Sequence, residues 1–252
     1  MKLGLQQLSS YQIASLRILS AGLILLPITI RYIGSIPLQK LSIIFLSGSL
    51  GSLIPAFLFC IAEEKIDSAL AGTLNSLTPV FVIITGVVFF KNQISKNKTI
   101  GIFIAFLGCI LLLLSKNNLQ TNQHLASLFL IILATILYGF NVNMVSRNLL
   151  HIPSLHIAAV ALSLNAIPAL ITLIFTGYFN MSLANFDILK ATGAAVVLGL
   201  VGTAIATIIF YVLVKKQEAY LPVRLPTVFP LLQLAGALFM EKTLDGNKYF
   251  AW

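Results

Sequence analysis

The sequence predicts an all-α polytopic membrane protein of about eight transmembrane helices, arranged as an inverted repeat. Three observations predict it. The first is composition: 58% of the 252 residues are hydrophobic and 9% are charged, with a mean hydropathy of +0.99. A soluble domain carries roughly 25% charged residues, so this chain lacks the charge to coat a water-facing surface and gives most of that surface to lipid. The second is that its apolar residues fall into runs of the roughly 20 residues that a bilayer crossing needs. The third is that the chain matches itself at a fixed offset, with the two copies running in opposite directions. A soluble enzyme on a single anchor is excluded, because no polar stretch exceeds about a dozen residues.

Apolar length and polar punctuation place the spans at 12–30, 41–61, 67–90, 98–115, 125–145, 154–177, 190–213 and 219–240. Runs such as IGIFIAFLGCILLLL (100–114) are apolar on every face. A barrel strand would alternate, so these runs are helices. The connections are short and carry breakers or charges: Gly34 to Pro37, Lys91 to Lys98, Lys116 to Gln123, and Ile152-Pro153. Cys60 and Cys109 lie inside apolar runs and read as small buried hydrophobes, not as a disulfide framework. The opening MKLGLQQLSSY has no sustained apolar stretch, so a cleavable signal peptide is not expected.

The formal charge of +9 is spread singly over span ends. Nucleic-acid binding would cluster those bases on one polar face, so they read as loop anchors instead. Counting alternate loops, one side holds Arg31, Lys40, Lys91, Lys96, Lys98, Arg147, Lys215 and Lys216 against Glu218 alone, a net +7. The opposite side balances to zero. The basic side is expected to be cytoplasmic, which puts both termini of this chain outside.

At an offset of 151, Gly48, Gly51, Phe59 and Pro79 fall on Gly199, Gly202, Phe210 and Pro230, so both halves read G-x2-G-x7-F-x19-P. At an offset of 144, Ser10, Ile13 and Ala14 meet Ser154, Ile157 and Ala158. Matched spans are five apart, and an odd separation reverses direction through the membrane. Charges agree, since the second span ends in Glu63 and Glu64 and the seventh in Lys215 and Lys216. Inverted repeats are the build of many secondary transporters, whose halves exchange conformations around a shared site.

The stretches LGLVGTAIATIIFYVLVKKQEA (198–219), SALAGTLNSLTPVFVIITGVVFFKNQISKNKTIGIFIAFLGCILLLL (68–114) and SSYQIASLRILSAGLILLP (9–27) resemble the EamA-type permeases of the drug/metabolite transporter superfamily. Small residues precede a mid-span proline, a basic turn follows, and G-x6-G comes next at Gly101 and Gly108; Arg17 matches the family's arginine near the start of a span. The resemblance covers nearly the whole chain and implies ten spans in a 5+5 plan, of which this chain resembles spans two to nine. Its repeats would then be residues 1–115, lacking the first span, and 125–252, lacking the last. Restoring both spans would return both termini to the cytoplasm. The family's glutamate after the first mid-span proline is Asn92 here, whereas Glu241 keeps it in the second half.

Pro79 and Pro230 remove mid-span hydrogen bonds and free the carbonyls of Asn75 and Pro226. Pro222, Pro226 and Pro230 recur at four-residue spacing with Gln233 on the same face. Two readings stay open: a distorted helix lining a cavity, or a kinked helix that only packs. The cavity candidates are Asn75 and Thr78 beside Pro79, Thr203 and Thr207 on a stripe with Gly199 and Phe210, Thr135, Tyr138 and Asn141 facing them, and Gln233. Each alone reads equally as interhelical glue. Gly48, Gly51, Gly199 and Gly202 are expected to permit close helix packing. Arg17 is expected to snorkel to the interface, and His124, His151 and His156, all at span ends, to be solvated. No Asp or Glu sits at mid-membrane, so coupling through an intramembrane acid is not expected.

The function expected is a permease in the cell membrane, moving small metabolites (amino-acid-like or drug-like solutes) by alternating access; the alternative is a truncated, non-transporting remnant. A membrane enzyme is disfavoured. Asp67, Asp187 and Asp245 are at span borders, and SGSLGS (47–52) lacks the spacing of a serine nucleophile. No catalytic residue, metal or cofactor is expected. The partners are the bilayer and a small solute, with no nucleic acid, and a homodimer is left open.

Overall fold

The computed structural model describes residues 2–5, 7–92, 122–181 and 185–219, together with Ile100, Gly101, Ile104 and Gly108. Among the described residues all regular structure is helical. Six segments are long and apolar enough to cross a membrane: Ser10–Ser35, Leu38–Ala62, Ser68–Phe90, Leu125–Asn148, Ser154–Phe175 and Phe186–Lys216. They are the first, second, third, fifth, sixth and seventh spans read from the sequence, and the chain is a polytopic helical membrane protein. Of the fourth span only the four isolated residues are described, all helical. The eighth, with Pro222, Pro226, Pro230 and Gln233, lies outside the described residues.

The helix ends follow local chemistry. Ser9 and Gln12 form a reciprocal cap: the Gln12 amide donates to Ser9 Oγ (3.3 Å), and the Ser9 amide donates to Gln12 Oε1 (3.0 Å). Asn185 accepts from the Asp187 amide (3.0 Å), so the seventh span starts at Phe186, ahead of the expected 190. Lys190, the first residue of the expected span, stands inside it. The third span closes on Lys91 in the left-handed region (φ 57°).

The first and sixth spans pack antiparallel along their whole length. The Gln12 amide group donates to the Thr176 carbonyl (3.1 Å) at one end, and Tyr32 stacks on His156 at the other, ring centroids 3.9 Å apart. Between them, Ser163 Oγ donates to the Gly22 carbonyl (3.0 Å). The helices cross at Gly22, where a Cβ would come within 2.7 Å of Ala166 Cβ. These two residues are equivalent at the 144 offset.

The second and seventh spans flank this pair. Gly48 lies against the Ala161 carbonyl of the sixth span, and Gly199 against the Arg17 carbonyl of the first. The two offsets equate both glycines and both carbonyls. Immediately after each glycine the helix loosens into a π-helical turn, Ser49–Leu53 and Leu200–Ile205. In the first of these the Ile54 amide donates five residues back, to Ser49.

Stripes such as Ile167, Ile171 and Ile174, or Val197, Val201 and Ile205, are exposed among the described residues. Fully buried residues such as Ile18, Ile44, Ile131, Leu149, Ile157 and Leu162 fill the interior. The charged ends sort as the loop count requires. Lys40 Nζ donates to the Asn148 carbonyl (3.0 Å) and Lys215 Nζ to the Leu150 carbonyl (3.1 Å), so three loops of the basic set meet on one side.

Candidate functional site

Two polar clusters lie at membrane depth between the helices. The first forms where the second, fifth and seventh spans meet. Ser47 Oγ donates to Asn141 Oδ1 (2.6 Å), which uses its only proton. The Tyr211 hydroxyl, 2.8 Å from Ser47 Oγ, is therefore the donor of the next bond. All three side chains are fully buried. Asn141 turns its Nδ2 toward Gly51, where it finds no hydrogen-bond partner among the described residues. Gly51 is the residue that leaves room for it: a Cβ there would overlap the amide.

The second cluster joins the first and seventh spans. Arg17 does not snorkel to the interface; its Nε donates to Thr203 Oγ1 (2.6 Å) inside the seventh-span π-helical turn. The inward direction has a steric cause. Gly199 brings the seventh span against the Arg17 backbone, which places Thr203, one turn on, within reach of the guanidinium. Thr203 and Tyr211 are separated by eight residues, about 12 Å along a helix, so the clusters occupy different depths.

The sequence-derived candidates divide accordingly. Asn141 and Thr203 each anchor one cluster, and Tyr138 stacks on Phe59, ring centroids 6.4 Å apart. Thr207 is buried on the same face as Thr203. Thr135 is turned back on its own helix, donating to the Ile132 carbonyl (2.7 Å). Asn75 and Thr78 serve each other. The third span is interrupted between Ser68–Asn75 and Thr78–Phe90, Pro79 enters the second piece, and Thr78 Oγ1 donates to the Asn75 carbonyl that the proline leaves without its amide partner (2.7 Å). Gly48, Gly51 and Gly199 lie at close helix contacts. Gly202 does not. It is exposed, and a Cβ there would meet only Leu198 of its own helix, because no described helix stands beside the seventh span as the fifth stands beside the second.

Ser47, Ser49, Asn143, Asn165 and Tyr211 escaped the sequence reading. Asn165 Oδ1 accepts from Ser49 Oγ (2.8 Å), and its Nδ2 donates to the Phe45 carbonyl (3.1 Å), tying the sixth span to the second. Asn143 Nδ2 donates to the Val82 carbonyl (2.8 Å), and its Oδ1 accepts from Asn92 Nδ2 (2.9 Å). The residue standing where the family's glutamate was expected thus pins the third span to the fifth. The available signal was an amide inside an apolar run, but none of these residues has a repeat partner to single it out. Of the histidines, His151 is exposed and His156 is half-buried against Tyr32; the side chain of His124 lies outside the description. Among the described residues no group of His, Cys, Asp and Glu could hold a metal ion. A shallow cleft of about 570 Å³, lined by Leu5, Leu8, Ser9 and residues 63–67, opens at the membrane border away from both clusters.

A chain of antiparallel spans with mirrored helix distortions can be set against known proteins. Residues 1–114 match the EamA-like transporter family. The EamA-type resemblance therefore stands on the first half of the chain, where it was read from the mid-span proline and the small residues before it. An uncharacterized transporter from Archaeoglobus fulgidus is 33% identical over 112 residues, covering 44% of this chain and 40% of the relative. The chain thus aligns with less than half the length of that curated relative.

Proposed function

We propose that this chain is a permease that moves small metabolites across the cell membrane by alternating access, with two inverted EamA-like repeats at 1–115 and 125–252. The observation that carries the reading is the pair of π-helical turns at equivalent places, Ser49–Leu53 and Leu200–Ile205, each entered through a glycine packed on the opposite half. A π-helical turn shifts the hydrogen-bond register and lets a helix bend without a proline. Two of them, related by the repeat, give each half the same hinge in opposite orientation, which is what exchange of conformations requires. The polar residues at those hinges, Thr203 with Arg17 and Asn141 with Ser47, would contact the solute. The EamA-like match and the transporter relative support a carrier and not an enzyme.

The test is flux. Purified 252-residue chain in liposomes, preloaded with a panel of radiolabelled amino acids, organic acids and amines, is expected to exchange at least one class faster than protein-free vesicles. Failure to move any of them overturns the transport reading.

A further inference from the structure

Arg17 is a fixed positive charge at membrane depth, yet the spans supply no negative one. The seven acids are Glu63, Glu64, Asp67, Asp187, Glu218, Glu241 and Asp245, all at or beyond span borders. In the structure Arg17 Nε is held by a neutral hydroxyl, Thr203 Oγ1, at 2.6 Å. A guanidinium carries five N–H donors in a planar fork suited to a carboxylate, and Thr203 takes one of them. An ionised side chain inside a membrane costs several kcal/mol unless an opposite charge or a polar cavity meets it.

The groups that Arg17 leaves unspent are thus donors, which an acceptor-rich anion would satisfy, whereas an amine would bring further donors and a second positive charge.

We propose that Arg17 is the anchor for a carboxylate on the transported solute, with Thr203 orienting the guanidinium. The inference rests on the permease reading and narrows its substrate class to small monocarboxylates, excluding bare amines. A single charge is the match for a single guanidinium. A phosphate dianion would leave a net negative charge in a region where no other base lies within the described interior.

Binding tests this without relying on transport. Thermal unfolding of the full chain in detergent is followed while lactate and benzoate are titrated against lactamide, benzamide and benzylamine. The carboxylates are expected to raise the Tm with concentration, and the amides and the amine are not. Arg17→Gln is expected to abolish that rise while leaving the ligand-free Tm unchanged or higher, because an unmatched charge has been removed. An arginine that only supported the fold would instead lower it. Where Arg17→Gln does not fold, Arg17→Lys decides: it keeps the charge but loses the fork, and is expected to raise the half-saturating carboxylate concentration about tenfold or more. No carboxylate-dependent rise in the wild type, an equal rise in the variants, or a preference for benzylamine overturns the proposal. Carboxylate binding without flux would instead overturn the permease reading and leave the anion site standing.

Discussion

Gly51 and Gly202 occupy the same place in the repeat and opposite environments in the molecule. Gly51 faces the Asn141 amide, whereas Gly202 is exposed and meets only the end of Leu198. Gly51→Ala is therefore expected to destabilise the chain by about 1–3 kcal/mol through overpacking. Gly202→Ala is expected to be neutral or to stabilise by up to about 1 kcal/mol, the helix-propensity difference. Denaturant unfolding in detergent micelles measures both, and equal effects would contradict the asymmetry. The glycines themselves were legible in the sequence because the repeat aligned them. Which of them is buried was not, because that depends on whether a neighbouring helix stands there. The same limit applies to Thr135, whose hydroxyl is spent on its own helix, and to Arg17, whose snorkelling is overridden by the close approach of Gly199.

At the scale of the helix, two kinds of interruption have different sequence visibility. Pro79 announces its own break, and the structure adds how the break is tolerated: Thr78 Oγ1 takes over the freed Asn75 carbonyl. Pro79→Ala returns an amide to that carbonyl and is expected to add about 0.5–1.5 kcal/mol of stability, while slowing solute exchange if the interruption is a moving part. A variant as fast as the parent in the flux assay would reduce Pro79 to a packing feature. The π-helical turns had no such marker. Pro55 follows the first, but Ala206 holds its place after the second, so proline is not their common cause. What they share is an entering glycine pressed on the other half, a contact between residues more than a hundred positions apart in sequence.

For the whole molecule, the loop charges and the packing agree on sidedness. The bonds from Lys40 to the Asn148 carbonyl and from Lys215 to the Leu150 carbonyl gather the basic ends on one surface. Single cysteines at Ser35 and Asn180, with Cys60 and Cys109 replaced by alanine, are expected to react with an impermeant maleimide on opposite sides: Ser35 only in inside-out vesicles and Asn180 only in intact cells. Labelling of both from one side would overturn the orientation and the antiparallel pairing together.

The sequence by itself determined that this chain lives in a membrane and where its six described spans lie, and it carries a residue match between its halves at a fixed offset. Those properties are carried by hydrophobic length, charge at span ends and residue identity at a fixed offset. Only the tertiary structure decided which polar groups meet: Arg17 with Thr203, Ser47 with Asn141 and Tyr211, and Asn143 with Asn92. The physical reason is the solvent. In lipid the outward face of a helix is as apolar as its inward face, so the periodicity that marks buried positions in a water-soluble helix is nearly erased. What faces inward is then set by where small residues let two backbones approach.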